Sequence, residues 1–410
     1  MDTTGAIRIL HFADLHIGME NFGQIDPGTG VNQRVLDFIH RLAEVVDYAI
    51  DHQADVVLFC GDAFKTRDPN PTYQREFARQ IMRLTQHEIV TVLLVGNHDM
   101  PVMEKRASSV DIFRTLAVPN VIVGYKEELH RINTRHGLLP SAAVPWPMRA
   151  RLVQDEETRR ASIEEMDRAL EQIMDQELEH LAADVDEQYP AILAGHFTVD
   201  GSLLGSERNV MIGRDAVVKL SALNKPTWDY VAMGHIHKHQ DVNAGRYPAV
   251  VYSGNLERID FGEELEPKGF CWVNVRRGST TWEFVPIQAR RFVTIDADAT
   301  GDGDSPTDAV LRAVERTSFE DAVVRVCVKM LQSQEMQFKP KEVEKALSGA
   351  RYLVGISKHV QRDIRTRIGL EKAESLTSAE LLHTFLVSKN TGSEHIDELM
   401  KAADEFLDTL

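Results

Sequence analysis

Five short stretches place carboxylate, amide and imidazole side chains directly behind small or apolar residues. They are Asp14-Leu15-His16, Gly61-Asp62, Gly96-Asn97-His98-Asp99, Gly195-His196 and Gly234-His235-Ile236-His237. The candidate metal donors among them are Asp14, His16, Asp62, Asn97, His196, His235 and His237, with no cysteine. Oxygen and imidazole donors without thiolate suit Mn²⁺, Fe²⁺ or Zn²⁺ in open, water-carrying sites and disfavour a closed structural zinc site. The set is too large for one ion and divides between two if a carboxylate bridges them. Asp62, alone after its apolar run, is the natural bridge. Two ions roughly 3.5–4 Å apart activate a water and stabilise a phosphoryl group under in-line attack. Asn97 would then be a neutral ligand. His98 would stay off the metals as a catalytic residue that stabilises the transition state or protonates a leaving oxygen. Asp99 would orient or charge-balance His98.

Singly, an Asp-x-His or a Gly-Asp is a weak signal, more often a surface pair or a turn. The joint occurrence carries the reading. Each stretch closes a short β-rich run: IRILHF, DVVLFC, IVTVLLV, AILA and YVAM, with NVIVG and AVVYSGN as further runs. Several are apolar without alternation, as strands covered on both faces are. Open α/β sheets gather ligands beyond the carboxyl ends of their strands, so groups more than 200 positions apart can share one crevice. Helical periods lie between the runs. One stripe is Val35, Phe38, Leu42, Val45, Ala49 and Ile50; another is Ile163, Met166, Leu170, Ile173, Leu178 and Leu181. The alternation predicts an α/β domain over residues 1–266.

From Pro267 the texture changes. FCWVNV, TTWEFVPI and RFVTIDA read as strands, followed by DAVLRAVERT, VVRVCVKML, PKEVEKAL and YLVGIS, a small α+β domain over 267–357. A charged linker over 358–375 leads to a helix pair over 376–410. The pair opens on a capping box, Thr377 with Glu380, and its second helix carries Ile396, Leu399, Ala403, Phe406, Leu407 and Leu410 on one face. Two short amphipathic helices must dock on something, either the preceding domain or a partner.

Bulk properties narrow the function classes. At 410 residues the chain exceeds one ordinary core. A net charge of −17 argues against a free-standing nucleic-acid binder driven by bulk electrostatics. No run is long enough for a membrane span and the start lacks a signal-peptide pattern; Cys60, Cys271 and Cys327 are scattered. Together these predict a cytoplasmic protein without a disulfide framework. Cys60 reads as packed core.

The constellation resembles the calcineurin-like metallophosphoesterase superfamily, whose pattern is D-x-H, GD, GNH[DE], GH and GHxH, over roughly residues 7–256. The stretches GDAFKTRDPNPTYQREF, GHFTVDGSLLGSER, IGRDAV and YSGNLERIDFGEE resemble its SbcD branch of DNA-repair nuclease subunits. The resemblance implies a two-sheet sandwich flanked by helices, a DNA-binding capping domain, and a helix pair that grips an SbcC-type SMC-like ATPase. It places Asp14, His16, Asp62 and His237 on a first Mn²⁺, and Asp62, Asn97, His196 and His235 on a second, with His98 as the non-ligand catalyst. It implies hydrolysis of DNA phosphodiesters, exonucleolytic on duplex ends and endonucleolytic on single strands or hairpins, by a nucleoid-associated homodimer. The dimer would form through the helices Thr72–Gln86 (stripe Tyr73, Phe77, Ile81, Leu84) and Lys105–Leu116 (Val110, Phe113, Leu116), although either stripe would serve equally as intramolecular core. One position departs: where relatives often carry His or Asp three residues after the bridging Asp, this chain has Lys65. Lys65, with Arg67, Lys105, Arg106 and Arg208 in nearby loops, would contact a DNA backbone. Two other readings use the same metal centre or none: a phosphoesterase for a small phosphodiester or nucleotide, and a catalytically weak DNA-end scaffold.

Overall fold

The computed structural model describes residues 5–101, 106–148, 162–205, 217–301, 305–362, 377–389 and 391–407. Arg208, Lys105 and most of the proposed linker lie outside them.

Two six-stranded sheets form the frame. The first runs in the order 281–286, 269–275, 7–12, 56–59, 90–94, 121–124. Its last four strands are mutually parallel, and 269–275 joins Ile7–Phe12 antiparallel. The second runs in the order 240–241, 250–252, 230–234, 192–196, 137–144, 128–134, with its four central strands parallel. Ile9, Leu58, Val92 and Val273 of the first sheet pack against Leu139, Ile192, Ala232 and Val251 of the second, and Cys60 is fully buried between them. Covered on this side and by helices on the other, the inner strands need apolar residues on both faces, which explains their lack of alternation.

The helices follow their stripes. Gln33–Asp51 buries Val35, Phe38, Leu42, Val45 and Ala49 in the outer core of the first sheet. Its N-cap Asn32 accepts the N–H of Arg34. Pro71–Gln86 buries Phe77, Ile81 and Leu84 in the same core. Ile163–Ala183 starts on a Ser162–Glu165 capping box and seats Met174, Leu178 and Leu181 on the outer face of the second sheet, whereas Ile173 is exposed. Among the described residues no helix is long and apolar enough to cross a membrane.

Several features differ from the sequence expectation. The strands Gly269–Val275 and Thr281–Pro286, expected in the second domain, extend the first sheet, and the larger compact unit comprises 1–295, 317–325 and 344–355. The reason is a main-chain ladder, Ile7 with Val275 through His11 with Cys271, which composition does not reveal. Of the two readings open for the stripes at 72–86 and 105–116, the intramolecular one holds for Phe77, Ile81, Leu84, Val110 and Phe113, which lie in the core, and Leu116 is exposed. The hairpin 128–134/137–144 went unanticipated because its first strand, ELHRINT, reads as polar and mixed.

The second unit comprises 296–316, 326–343 and 356–410. It includes the helix Pro306–Glu315 and the paired helices Ser378–Ser388 and Ser393–Leu407. Thr377 and Glu380 form the expected capping box. The last strand runs to Gln361, inside the stretch expected to be linker. A three-stranded sheet has the order 292–298, 323–331, 352–361.

Candidate metal centre

All seven candidate ligands stand at or just beyond the carboxyl ends of five parallel strands, three in the first sheet and two in the second. Asp14 and His16 follow Ile7–Phe12, Asp62 follows Val56–Phe59, and Asn97 follows Val90–Leu94. His196 ends Ile192–His196, and His235 and His237 follow Tyr230–Gly234. The ladder continues past the strand ends: the amides of Asp14, His16 and Ile17 donate in turn to the carbonyls of Gly61, Asp62 and Ala63, each at 3.0 Å. The two loops are thus locked in register.

The turns are made by the candidate ligands themselves. Asp14, His16, Asp62 and His235 have φ of 53°, 47°, 62° and 98°. The left-handed region costs a non-glycine residue roughly 1–2 kcal/mol, and such strain gathers at functional sites. The neighbouring glycines serve close approach: a Cβ on Gly96 would collide with the Asp62 carboxylate, and one on Gly234 with the carbonyl of Cys60.

Asp62 is the hub. Its Oδ2 lies 3.7 Å from His16 Nε2 and 3.5 Å from His196 Nε2, and its Oδ1 accepts the His98 amide at 2.8 Å. On one side, His16 Nε2 faces His237 Nε2 at 3.0 Å, and Asp14 accepts the His235 amide at 3.0 Å through either carboxylate oxygen. On the other, Asn97 Oδ1 lies 3.0 Å from His196 Nε2 and 3.3 Å from His235 Nδ1. Three sets of ligand atoms, each within 4.8 Å of one another, occur among the described residues: Asp14–His16–His237, His16–Asp62–His98 and Asp14–Asp62–His196. All seven candidate ligands except Asn97 are buried, so their charged carboxylates need cations or the neighbouring histidines.

The electrostatics fit that demand. Burial would raise the Asp62 carboxyl, but His196, His98 and His16 hold it well below the usual carboxylate range. Burial would lower His196, but Asp62 and then Asp14 carry it up to about 9. Burial raises Asp14, against the pull of the surrounding histidines. With one donor atom each, no thiolate, and a shared carboxylate flanked by two imidazoles, the residues fit a pair of divalent cations.

His98 presents its Nδ1 to the Lys65 carbonyl at 2.8 Å, and its ring lies 4.8 Å from that of His16. Asp99 does not orient it, contrary to expectation. Its carboxylate accepts the amides of Asp62 at 2.8 Å, Ala63 at 3.1 Å and Gly96 at 3.2 Å, and the Ser109 hydroxyl at 2.8 Å. The reason is the direction of the chain, since the turn at Gly96 points Asp99 inward, beneath the Asp62 loop. Burial and the charge of Asp62 lift its carboxyl to about 6. Lys65 is half-buried and Arg67 exposed.

Sequence reading missed the groups behind the candidate ligands. Glu263 accepts from His237 Nδ1, Cys60 O accepts from His196 Nδ1 at 2.6 Å, and Trp146 lies 4.8 Å from the His235 ring. Glu263 sits within the quoted stretch YSGNLERIDFGEE, but its spacing from His237 carries no ligand signature.

A family model described as calcineurin-like phosphoesterase matches residues 7–239. Curated relatives include the D subunit of the SbcCD nuclease of Escherichia coli (strain K12), 28% identical over 264 residues, which are 63% of this chain and 62% of that protein. The protein of the same name from Bacillus subtilis (strain 168) is 27% identical over 295 residues, 69% of this chain and 70% of its own. The chain therefore spans about 62% of the E. coli relative's length. Among solved structures, TT1561 of Thermus thermophilus is 15% identical with a TM-score of 0.38, covering 68% of this chain and 99% of that one. A dimetal phosphatase from Danio rerio is 10% identical with a TM-score of 0.40, covering 68% and 96%. Both scores are too low to carry an argument.

Proposed function

The chain belongs to the calcineurin-like phosphoesterase family, and on that premise we propose that it is a DNA nuclease subunit that hydrolyses phosphodiesters with two divalent cations, Mn²⁺ foremost. The observation that carries this reading is the placement of Asp62 between His16 and His196, with further ligands on either side. Asp14, His16, Asp62 and His237 would hold one ion; Asp62, Asn97, His196 and His235 the other. When bound, the ions supply an activated water and neutralise charge on the phosphoryl oxygens. The chain's own residues do the rest. His98, which donates its Nδ1–H to Lys65 O, would protonate the leaving oxygen from Nε2 as the imidazolium. Asp99 holds the backbone that aims Asp62. Lys65 and Arg67 would meet backbone phosphates of duplex ends, single strands or hairpins, with Arg208 assigned the same role from sequence alone.

DNA is favoured over a small phosphodiester because the curated relatives bear a nuclease's name and the chain continues well past the phosphoesterase region. That name also supports an SbcC-type ATPase as partner. The helices Ser378–Ser388 and Ser393–Leu407 offer exposed Phe385, Val387 and Leu399 for it. A homodimer would use the exposed Met82, Ile112 and Leu116 in place of the buried stripe residues. A cytoplasmic, nucleoid-associated location follows from the same reading.

The test compares linear duplex DNA, a DNA hairpin and a bis-phenyl phosphodiester in Mn²⁺, with and without the ATPase. Cleavage of DNA that disappears in Asp62→Asn supports the reading. Hydrolysis of the small diester alone would return the small-substrate alternative, and no hydrolysis of any substrate the scaffold.

A further inference from the structure

Behind His237 lies a buried ion cluster that the two-cation reading does not use. Glu263 and Lys268 are both buried, and their charged ends meet at 3.0 Å. Both carboxylate oxygens of Glu263 are hydrogen-bonded, one of them to His237. Its Oε1 stands 2.9 Å from His237 Nδ1; its Oε2 accepts Asn255 Nδ2 and the Ile259 amide, each at 3.0 Å. Lys268 Nζ is further tied to Glu266 at 3.0 Å. The same segment grips the His237 main chain, since the Asn255 amide donates to its carbonyl at 3.2 Å.

A carboxylate only accepts, so the proton of a neutral His237 ring must sit on Nδ1. The lone pair is then on Nε2, and Nε2 is the atom that faces His16 at 3.0 Å. The partner group behind His196 differs in kind, a neutral carbonyl at Cys60. A carboxylate behind a ligating imidazole fixes its ring plane and raises its donor strength.

We propose that Glu263 is the positioning residue of His237, selecting the tautomer and ring plane that present Nε2 to a divalent cation, with Lys268 as its buried counter-ion. This rests on the reading that His237 is a metal ligand. The 254–268 segment is therefore part of the metal centre, although it supplies no ligand itself.

The experiment titrates full-length, metal-free protein with Mn²⁺ and follows free Mn²⁺ by electron paramagnetic resonance. The variants are Glu263→Ala, the charge-neutral pair Glu263→Gln with Lys268→Met, and His237→Ala. The paired variant removes one buried charge of each sign and decides the matter if Glu263→Ala does not fold. The expected result is a loss of about 10- to 100-fold in affinity for one ion, with the other within two-fold of wild type. Nitrogen-15 spectra of histidine-labelled, metal-free protein should show His237 as the Nδ1–H form in wild type and as a mixture in the variants. Unchanged affinity for both ions, an equal loss of both, or an unchanged tautomer in the paired variant would overturn the proposal. If His237→Ala keeps both ions at wild-type affinity, the ligand reading itself falls, and the positioning role with it.

Discussion

The carboxylate of Asp99 carries the backbone of Asp62: it accepts the Asp62 amide at 2.8 Å and, with Ala63, Gly96 and Ser109, closes a buried ring of donors around one acidic group. The hub of the candidate metal centre is therefore aimed by a residue that works through main-chain amides and a hydroxyl. The left-handed φ of 62° at Asp62 persists because this ring over-determines it.

Asp99→Ala leaves several buried N–H groups without an acceptor, and each costs about 1–3 kcal/mol. A loss of about 3 kcal/mol in urea unfolding, together with weaker Mn²⁺ binding, is expected. Stability within about 0.5 kcal/mol of wild type would show that water replaces the carboxylate, and the bracing role would be abandoned.

His98→Ala removes a group that the proposed mechanism uses for proton transfer and not for ligation. Mn²⁺ stoichiometry should stay at the wild-type value while hydrolysis falls about 10²- to 10⁴-fold. A lost ion would instead place His98 among the ligands, as its closeness to His16 and Asp62 allows.

Metal binding should compete with protons at His196. In the metal-free chain this imidazole holds its proton up to about pH 9, because Asp62 and Asp14 outweigh its burial. An ion at Nε2 must expel that proton, so apparent Mn²⁺ affinity should rise with pH towards about 9 and level off above it. Titrations at several pH values check the slope; a flat profile from about pH 6 to 9 would count against His196 as a ligand.

His11 makes a separate prediction about folding. Fully buried between the sheets, it bonds Tyr230 Oη at 3.1 Å and the Met233 carbonyl at 3.2 Å. Burial lowers it from 6.5 to about 3. The unfolded chain therefore takes up this proton first as pH falls, so stability should drop from about pH 6.5 down to about pH 3 and gain no further slope from His11 below that. His11→Gln should flatten that stretch of the stability–pH curve.

Much of this was legible locally. Strand runs such as IRILHF and YVAM, the helix stripe from Val35 to Ala49, and the Thr377–Glu380 cap are short-range patterns, and each appears where it was read. The exceptions share one cause. Ile173 breaks its stripe and Gly269–Val275 joins the first sheet, because packing partners far along the chain decide which face is covered.

The sequence by itself determined which side chains could bind metal and that each would follow a strand, because composition and spacing are local properties of the chain. Only the tertiary structure decided that five strand ends point the same way. It alone set Asp99 beneath Asp62, 37 positions away, and Glu263 behind His237, 26 positions on. Those placements depend on strand order and parallel direction, which arise when two sheets bury a common core and not from any one segment.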